Sequence, residues 1–124
     1  MHLLAIGLGG FVGAAARYLV DGWVSDATRG GFPWGTLVVN ASGSLAIGVL
    51  FAVTVEHSLL PAGLRGPLMI GFIGSYTTFS TLALESWRLL EDGSWLVAGA
   101  NLAGSVMIGL SAVIVGLAIG RALA

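Results

Sequence analysis

The chain has 124 residues, 56% of them hydrophobic and 9% charged, with a formal net charge of -1 and no cysteine. Soluble domains usually carry about 25% charged residues, so with a mean hydropathy of +0.97 much of the outside must face lipid. The missing cysteines exclude a disulfide framework and thiolate metal sites. All basic residues are arginines, with no run to grip nucleic acid and no lysine for Schiff-base chemistry or a Walker-type phosphate loop. By length the chain is one domain, residues 1–124.

A membrane-crossing helix needs roughly 20 mostly apolar residues. Four stretches qualify, at about 3–24, 34–55, 64–90 and 95–120. They predict an all-α integral membrane protein that crosses the plasma membrane four times. The first stretch lacks the positive n-region of a cleaved signal and contains Arg17, so it reads as a true span. Ser25 to Phe32, Glu56 to Gly63 and Glu91 to Ser94 supply the connectors. Trp23, Trp34, Trp87 and Trp95 lie near span ends, where an indole suits the headgroup level. The positive-inside rule has nothing to work with. Arg65 and Arg121 fall on one side, Arg29 and Arg88 on the other. An unbiased chain of this kind inserts both ways round and supplies both halves of an antiparallel dimer.

In lipid, helices associate through close backbone contact at small residues. Gly9 and Gly13 form a GxxxG pair on the first span; Gly43, Ser44 and Gly48 share a side of the second. Asn101, Ser105, Gly109, Ala112, Gly116 and Gly120 form a ladder of small and polar residues on the fourth. Packing alone accounts for most of the 20 glycines, but not for Arg17, Asn40, Glu85, Asn101 and Ser105 within spans. Polar groups there need a partner or water and are candidates for function. Arg17 can also snorkel, and Glu85 sits near a helix end beside Trp87 and Arg88.

The third span carries the densest signal, Gly71-Phe72-Ile73-Gly74-Ser75-Tyr76-Thr77-Thr78-Phe79-Ser80-Thr81-Leu82. Glycine and threonine weaken a helix, and this run predicts a break in mid-membrane, tolerated only where the backbone is buried in protein or lines a cavity. Carbonyls freed by a break are hard ligands suited to Na+. Thr78, Ser80 and Thr81 can donate O–H groups, and the positive edge of the Phe79 ring can meet a desolvated anion. Gly7-x-x-Gly10-x-x-Gly13 imitates a dinucleotide loop without the preceding strand, and Asn40-Ala41-Ser42 a glycosylation site inside the membrane. No nucleophile triad or carboxylate pair stands out, which argues against an enzyme.

Taken together these motifs resemble the Fluc (CrcB) fluoride channels. The resemblance runs through Gly9-Gly10-x-x-Gly13 to Arg17-Tyr18, then Phe32-Pro33-x-Gly35-Thr36-Leu37-x-x-Asn40-x-x-Gly43-Ser44. It continues in Gly71-Phe72-x-Gly74, Thr77-Thr78-Phe79-Ser80-Thr81 with Glu85, and Asn101-x-x-Gly104-Ser105. It implies an antiparallel, dual-topology dimer with two pores, exporting fluoride passively and so limiting its toxicity inside the cell. It further implies a central structural Na+ held by backbone oxygens of Gly74 and Thr77. Asn40 and Phe79 would line the fluoride path, with Thr78, Ser80, Thr81, Asn101 and Ser105 beside it. Arg17 and Glu85 would stand at the pore entrance or support it. One position departs from the family pattern, Leu82 where a second phenylalanine is expected. A homodimer is the expected assembly, and a heterodimer with a homologous subunit the alternative. Two other classes compete. A proton-coupled exporter of organic cations wants a deep carboxylate, and the first span has none before Asp21. A non-transporting scaffold would use its glycines for packing alone.

Overall fold

The computed structural model describes residues 1–124. Helix α1 spans His2–Thr28, a stretch without proline. Its end differs from the expected connector at Ser25, because the polar side chains there are satisfied on the helix itself. Thr28 donates to the Val24 carbonyl at 2.7 Å and Ser25 to Asp21 at 3.4 Å. Pro33 then precedes α2, Trp34–Phe51, whose last residues lead into a wider π-helical turn, Ala52–Glu56. A single 3-10 turn, Ala62–Leu64, leads into α3, residues 66–76, wide over Gly66–Ile73 and α-helical over Gly74–Tyr76.

Thr77 and Thr78 are extended, with φ/ψ of -80/159 and -150/115 degrees. Helix α4, Phe79–Glu91, starts with Thr78 as its N-cap, the threonine oxygen accepting from the Thr81 N–H at 3.3 Å. It stops at Gly93, whose φ of 78 degrees favours glycine. There Ser94 N–H reaches the Leu89 carbonyl at 2.8 Å and Gly93 N–H that of Leu90 at 3.0 Å, a Schellman closure. Helix α5, Trp95–Leu123, completes the chain. Four helical stretches, Ala62–Glu91 counted as one, are long and apolar enough to cross a membrane.

Two seams tie the helices together. Along α1 and α3, a Cβ on Gly9 or Gly13 would overlap the Pro67 or Phe72 carbonyl, and one on Gly71 the Ile6 carbonyl. Along α2 and α5, the backbone at Gly48, Gly116 and Gly120 meets that of Val113, Leu45 and Val49. The buried core is accordingly thin, with Val39, Ala52 and Ala98 wholly inside. Large apolar side chains point outward instead, Leu96 being 89% exposed. That distribution is costly in water and suits hydrocarbon.

Candidate functional site

The interruption at Thr77–Thr78 is stabilised by α2. Asn40 Nδ2 donates to the Thr78 carbonyl at 3.0 Å, and its Oδ1 accepts the Thr78 N–H at 2.8 Å. One side-chain amide thus pairs with one residue of extended backbone as a neighbouring strand would, which satisfies both backbone groups of Thr78. Gly43 leaves room for the Thr77 methyl against α2, and Ser42 bonds the Tyr76 hydroxyl at 2.8 Å. Beyond the interruption, Thr78 Oγ1 donates to Thr81 Oγ1 at 3.0 Å, and a longer 3.5 Å contact joins it to Ser80.

The interruption leaves four carbonyls, those of Gly74, Ser75, Tyr76 and Thr77, without their helical donors, and the Phe79 and Ser80 N–H groups make no bond back across it. The Thr78 N–H goes to Asn40 rather than to the Gly74 carbonyl, and the Thr81 N–H to Thr78 Oγ1 rather than to that of Thr77. Neutral carbonyl oxygens are the kind of ligand that a hard monovalent cation takes.

Two cavities flank the interruption and a third lies beyond them. One of about 290 Å³ is lined by Asn40, Ser44, Thr77, Thr78, Phe79, Leu82 and Ser105, among others. Phe79 is 81% exposed at its open side, while Leu82 is buried. Across Thr78 lies a second, of about 400 Å³, where Arg17, Tyr18, Asp21, Thr36 and Thr81 converge. The third, of about 510 Å³, opens at the end of the bundle between Arg29, Glu85, Arg88 and Asp92. Thr36 links the last two, donating to Glu85 Oε1 at 2.8 Å. Glu85 Oε2 is buried without a partner. Neither Arg17 nor Arg88 has an ion pair; the one salt bridge joins Arg121 to Glu56.

Most of the residues singled out in the sequence therefore gather around one interruption. Asn101 does not. It is wholly buried between α4 and α5, its Nδ2 donating to Ser86 Oγ at 2.9 Å, and it lines none of the three cavities. Thr36 and Ser86 were missed by sequence reasoning, since each looks like an ordinary small residue on a packing face. Beyond the place of Thr36 in the motif that carries the resemblance, the signal is helical spacing alone. Thr78, Thr81, Glu85 and Arg88 form one polar strip of α4 that Thr36 faces, and Ser86 continues the face of Phe79 and Leu82.

The model of the family described as "CrcB-like protein, Camphor Resistance (CrcB)" matches residues 4–117. A Geobacter metallireducens protein named "Fluoride-specific ion channel FluC" is 43% identical over 121 residues, covering 98% of each chain. Proteins of the same name from Hahella chejuensis and Syntrophotalea carbinolica are 43% and 44% identical, covering 97% and 96% of this chain and 94% and 95% of their own. With a family match over nearly the whole length and four helices able to cross a membrane, the chain belongs to the CrcB-like family of multi-pass membrane proteins.

Proposed function

We propose that this protein is a fluoride-selective channel, that two copies assemble antiparallel, and that fluoride passes beside the Thr77–Thr78 interruption. The observation that carries the reading is the cavity in which Asn40, Thr78, Ser105 and the Phe79 ring meet, in a chain so similar to proteins named as fluoride-specific channels. Fluoride is small and strongly hydrated, so a pore must replace water with donors that need no reorganisation. Asn40 retains a second amide N–H beyond the one held by Thr78. Thr78, Ser80, Thr81 and Ser105 offer hydroxyls, and Phe79 a ring edge. The interruption lies at mid-bilayer, and Arg17 and Glu85 serve the approach from the cavities on the loop side. Flux is downhill, so it empties a cell in which fluoride has accumulated.

The antiparallel pairing rests on the even distribution of arginines and on Phe79, which stands on an open cavity that a second copy would close. Two such cavities then give two pores. In the same assembly the Gly74 and Thr77 carbonyls of both copies would hold a Na+ ion at the interface. Such an ion would supply positive charge against the carbonyl dipoles and help to hold the two chains together. Leu82 lies in the cavity where a second aromatic edge would serve the anion, so conduction here relies on Phe79 alone.

The test is fluoride efflux from KF-loaded liposomes containing only this chain, triggered by valinomycin and read with a fluoride electrode. Fast fluoride efflux with little chloride leak is expected. Equal passage of chloride would sink the selectivity claim. No efflux from well-folded protein would sink the self-sufficient homodimer and point to a homologous partner subunit.

A further inference from the structure

Asn101, the amide in the spans that lies away from the cavities, is wholly buried. Ser86 is nearly so, and the two are joined at 2.9 Å. Ser86 in turn donates to the Leu82 carbonyl at 2.8 Å. Asn101 Oδ1 is left without a partner. As a device for stability the pair is poor, because two apolar residues of matching shape would satisfy the same space without an orphaned acceptor. Its geometry suits another purpose.

Helices α4 and α5 are joined by a tight turn and run antiparallel. From the Ser86–Asn101 bond, one turn back along α4 reaches Leu82 and one turn forward along α5 reaches Ser105. A further step reaches Phe79 on α4 and Gly109 on α5. All four line the same cavity. Phe79 and Ser86 are seven residues apart, hence on one face of the helix. A slip of α4 along α5 would carry Phe79 away from Ser105 as a rigid unit.

We infer that the Ser86–Asn101 hydrogen bond sets the register of α4 on α5 and so positions Phe79 opposite Ser105, making Asn101 a positioning residue and not a contact of the ion. The inference rests on the reading of that cavity as the conduction path. Apolar packing between helices tolerates sliding, because many registers bury similar area, whereas a buried polar pair is satisfied in only one. Position matters at this scale: a shift of about 1 Å at a reacting or binding group can cost roughly a hundredfold in rate.

The decisive variant is the apolar pair Ser86→Ala with Asn101→Leu. It should match the wild type in thermal midpoint, yet lose fluoride flux roughly tenfold or more and shift the fluoride/chloride bi-ionic reversal potential towards zero selectivity. Exchanging the partners, Ser86→Asn with Asn101→Ser, restores a bond across the same gap and should recover both readouts. Ser86→Ala alone should reproduce the loss. Wild-type flux and reversal potential in the apolar pair would overturn the inference. So would loss in Asn101→Leu with Ser86→Ala unaffected, which would make Asn101 a direct contact of the ion.

A second measurement does not depend on conduction. The chain has no native cysteine, so spin labels on Trp87→Cys and Leu102→Cys, both exposed, report the α4–α5 distance. That distance should shift or broaden in the apolar pair and return in the exchanged pair; an unchanged distance in the apolar pair overturns the register role. Absence of fluoride flux in the wild type would instead overturn the reading of this chain as a self-sufficient channel and leave the label result standing on its own.

Discussion

Along α2 and α5 the chain is held by glycines that let two backbones touch, Gly116 lying against the Leu45 carbonyl and Gly120 against Val49. At Thr77–Thr78 it is held by side-chain hydrogen bonds, with Asn40 supplying what a neighbouring strand would supply. In the first region every substitution adds atoms where there is no space. In the second it removes partners from backbone groups that have no other. The seams therefore hold by leaving no room and the interruption by supplying partners, so the two should fail in different ways when changed.

The sharpest break of that comparison is Asn40→Leu. It takes away both bonds of the Thr78 backbone and the free amide N–H facing the cavity. Leaving a buried N–H and C=O unpaired costs about 1–3 kcal/mol each. Losing a preorganised donor at an anion costs roughly a hundredfold in comparable sites. Fluoride flux should fall by at least that factor, measured per unit of monodisperse protein. Flux within a few-fold of wild type would mean that Asn40 only supports the backbone. Gly116→Val should do the opposite. Its added Cβ would overlap the Leu45 carbonyl, an overpacking cost of about 1–3 kcal/mol. The thermal midpoint and the yield of folded protein should drop, while the folded remainder keeps wild-type selectivity. A selectivity change there would erase the distinction between the two regions.

The sequence exposes the two regions unequally. The glycine seams are legible because small residues at helical spacing state their own role, as with Gly9 and Gly13. The hydroxyl run of the third span likewise marks the neighbourhood of the interruption. The partners are not legible. Asn40 and Thr78 are 38 positions apart and Thr36 and Glu85 are 49 apart, so nothing local links them. Asn101 shows the limit most clearly. Its place on the same ladder as Ser105 points to the pore, but a buried amide is equally well satisfied by a hydroxyl on the next helix, here Ser86, and only three-dimensional packing decides between them. The end of α1 lies beyond the expected connector for a related reason, since Ser25 and Thr28 read as turn residues yet bond back to their own helix.

A smaller effect separates the cavities on the loop side from the interruption itself. Thr36→Val keeps the shape of the side chain and removes the donor to Glu85 Oε1, leaving both carboxylate oxygens of Glu85 without a protein partner. The carboxylate would then turn towards water in the cavity shared with Arg88. Flux should change by only a few-fold, on the order of the 1 kcal/mol of one hydrogen bond, and Thr36→Ser should restore it. A loss as large as that of Asn40→Leu would make the Thr36–Glu85 pair as important to flux as Asn40.

The smallest effect is expected at the opposite end of the bundle. Arg121 holds Glu56 through two bonds, Nε to Oε2 at 2.8 Å and Nη2 to Oε1 at 2.7 Å, and so ties the end of α5 to the last turn beyond α2. The geometry is bidentate and the partners are well matched. Both side chains are nevertheless open to solvent, where water competes for the same groups and salt screens the charges. The neighbouring seam, with Gly120 against Val49, already fixes how the two helices meet. Arg121→Gln should therefore leave flux, selectivity and thermal midpoint at wild-type values in both low and high salt. A clear drop in the midpoint confined to low salt would show that this pair, and not the glycine seam alone, holds that end of α5 in place.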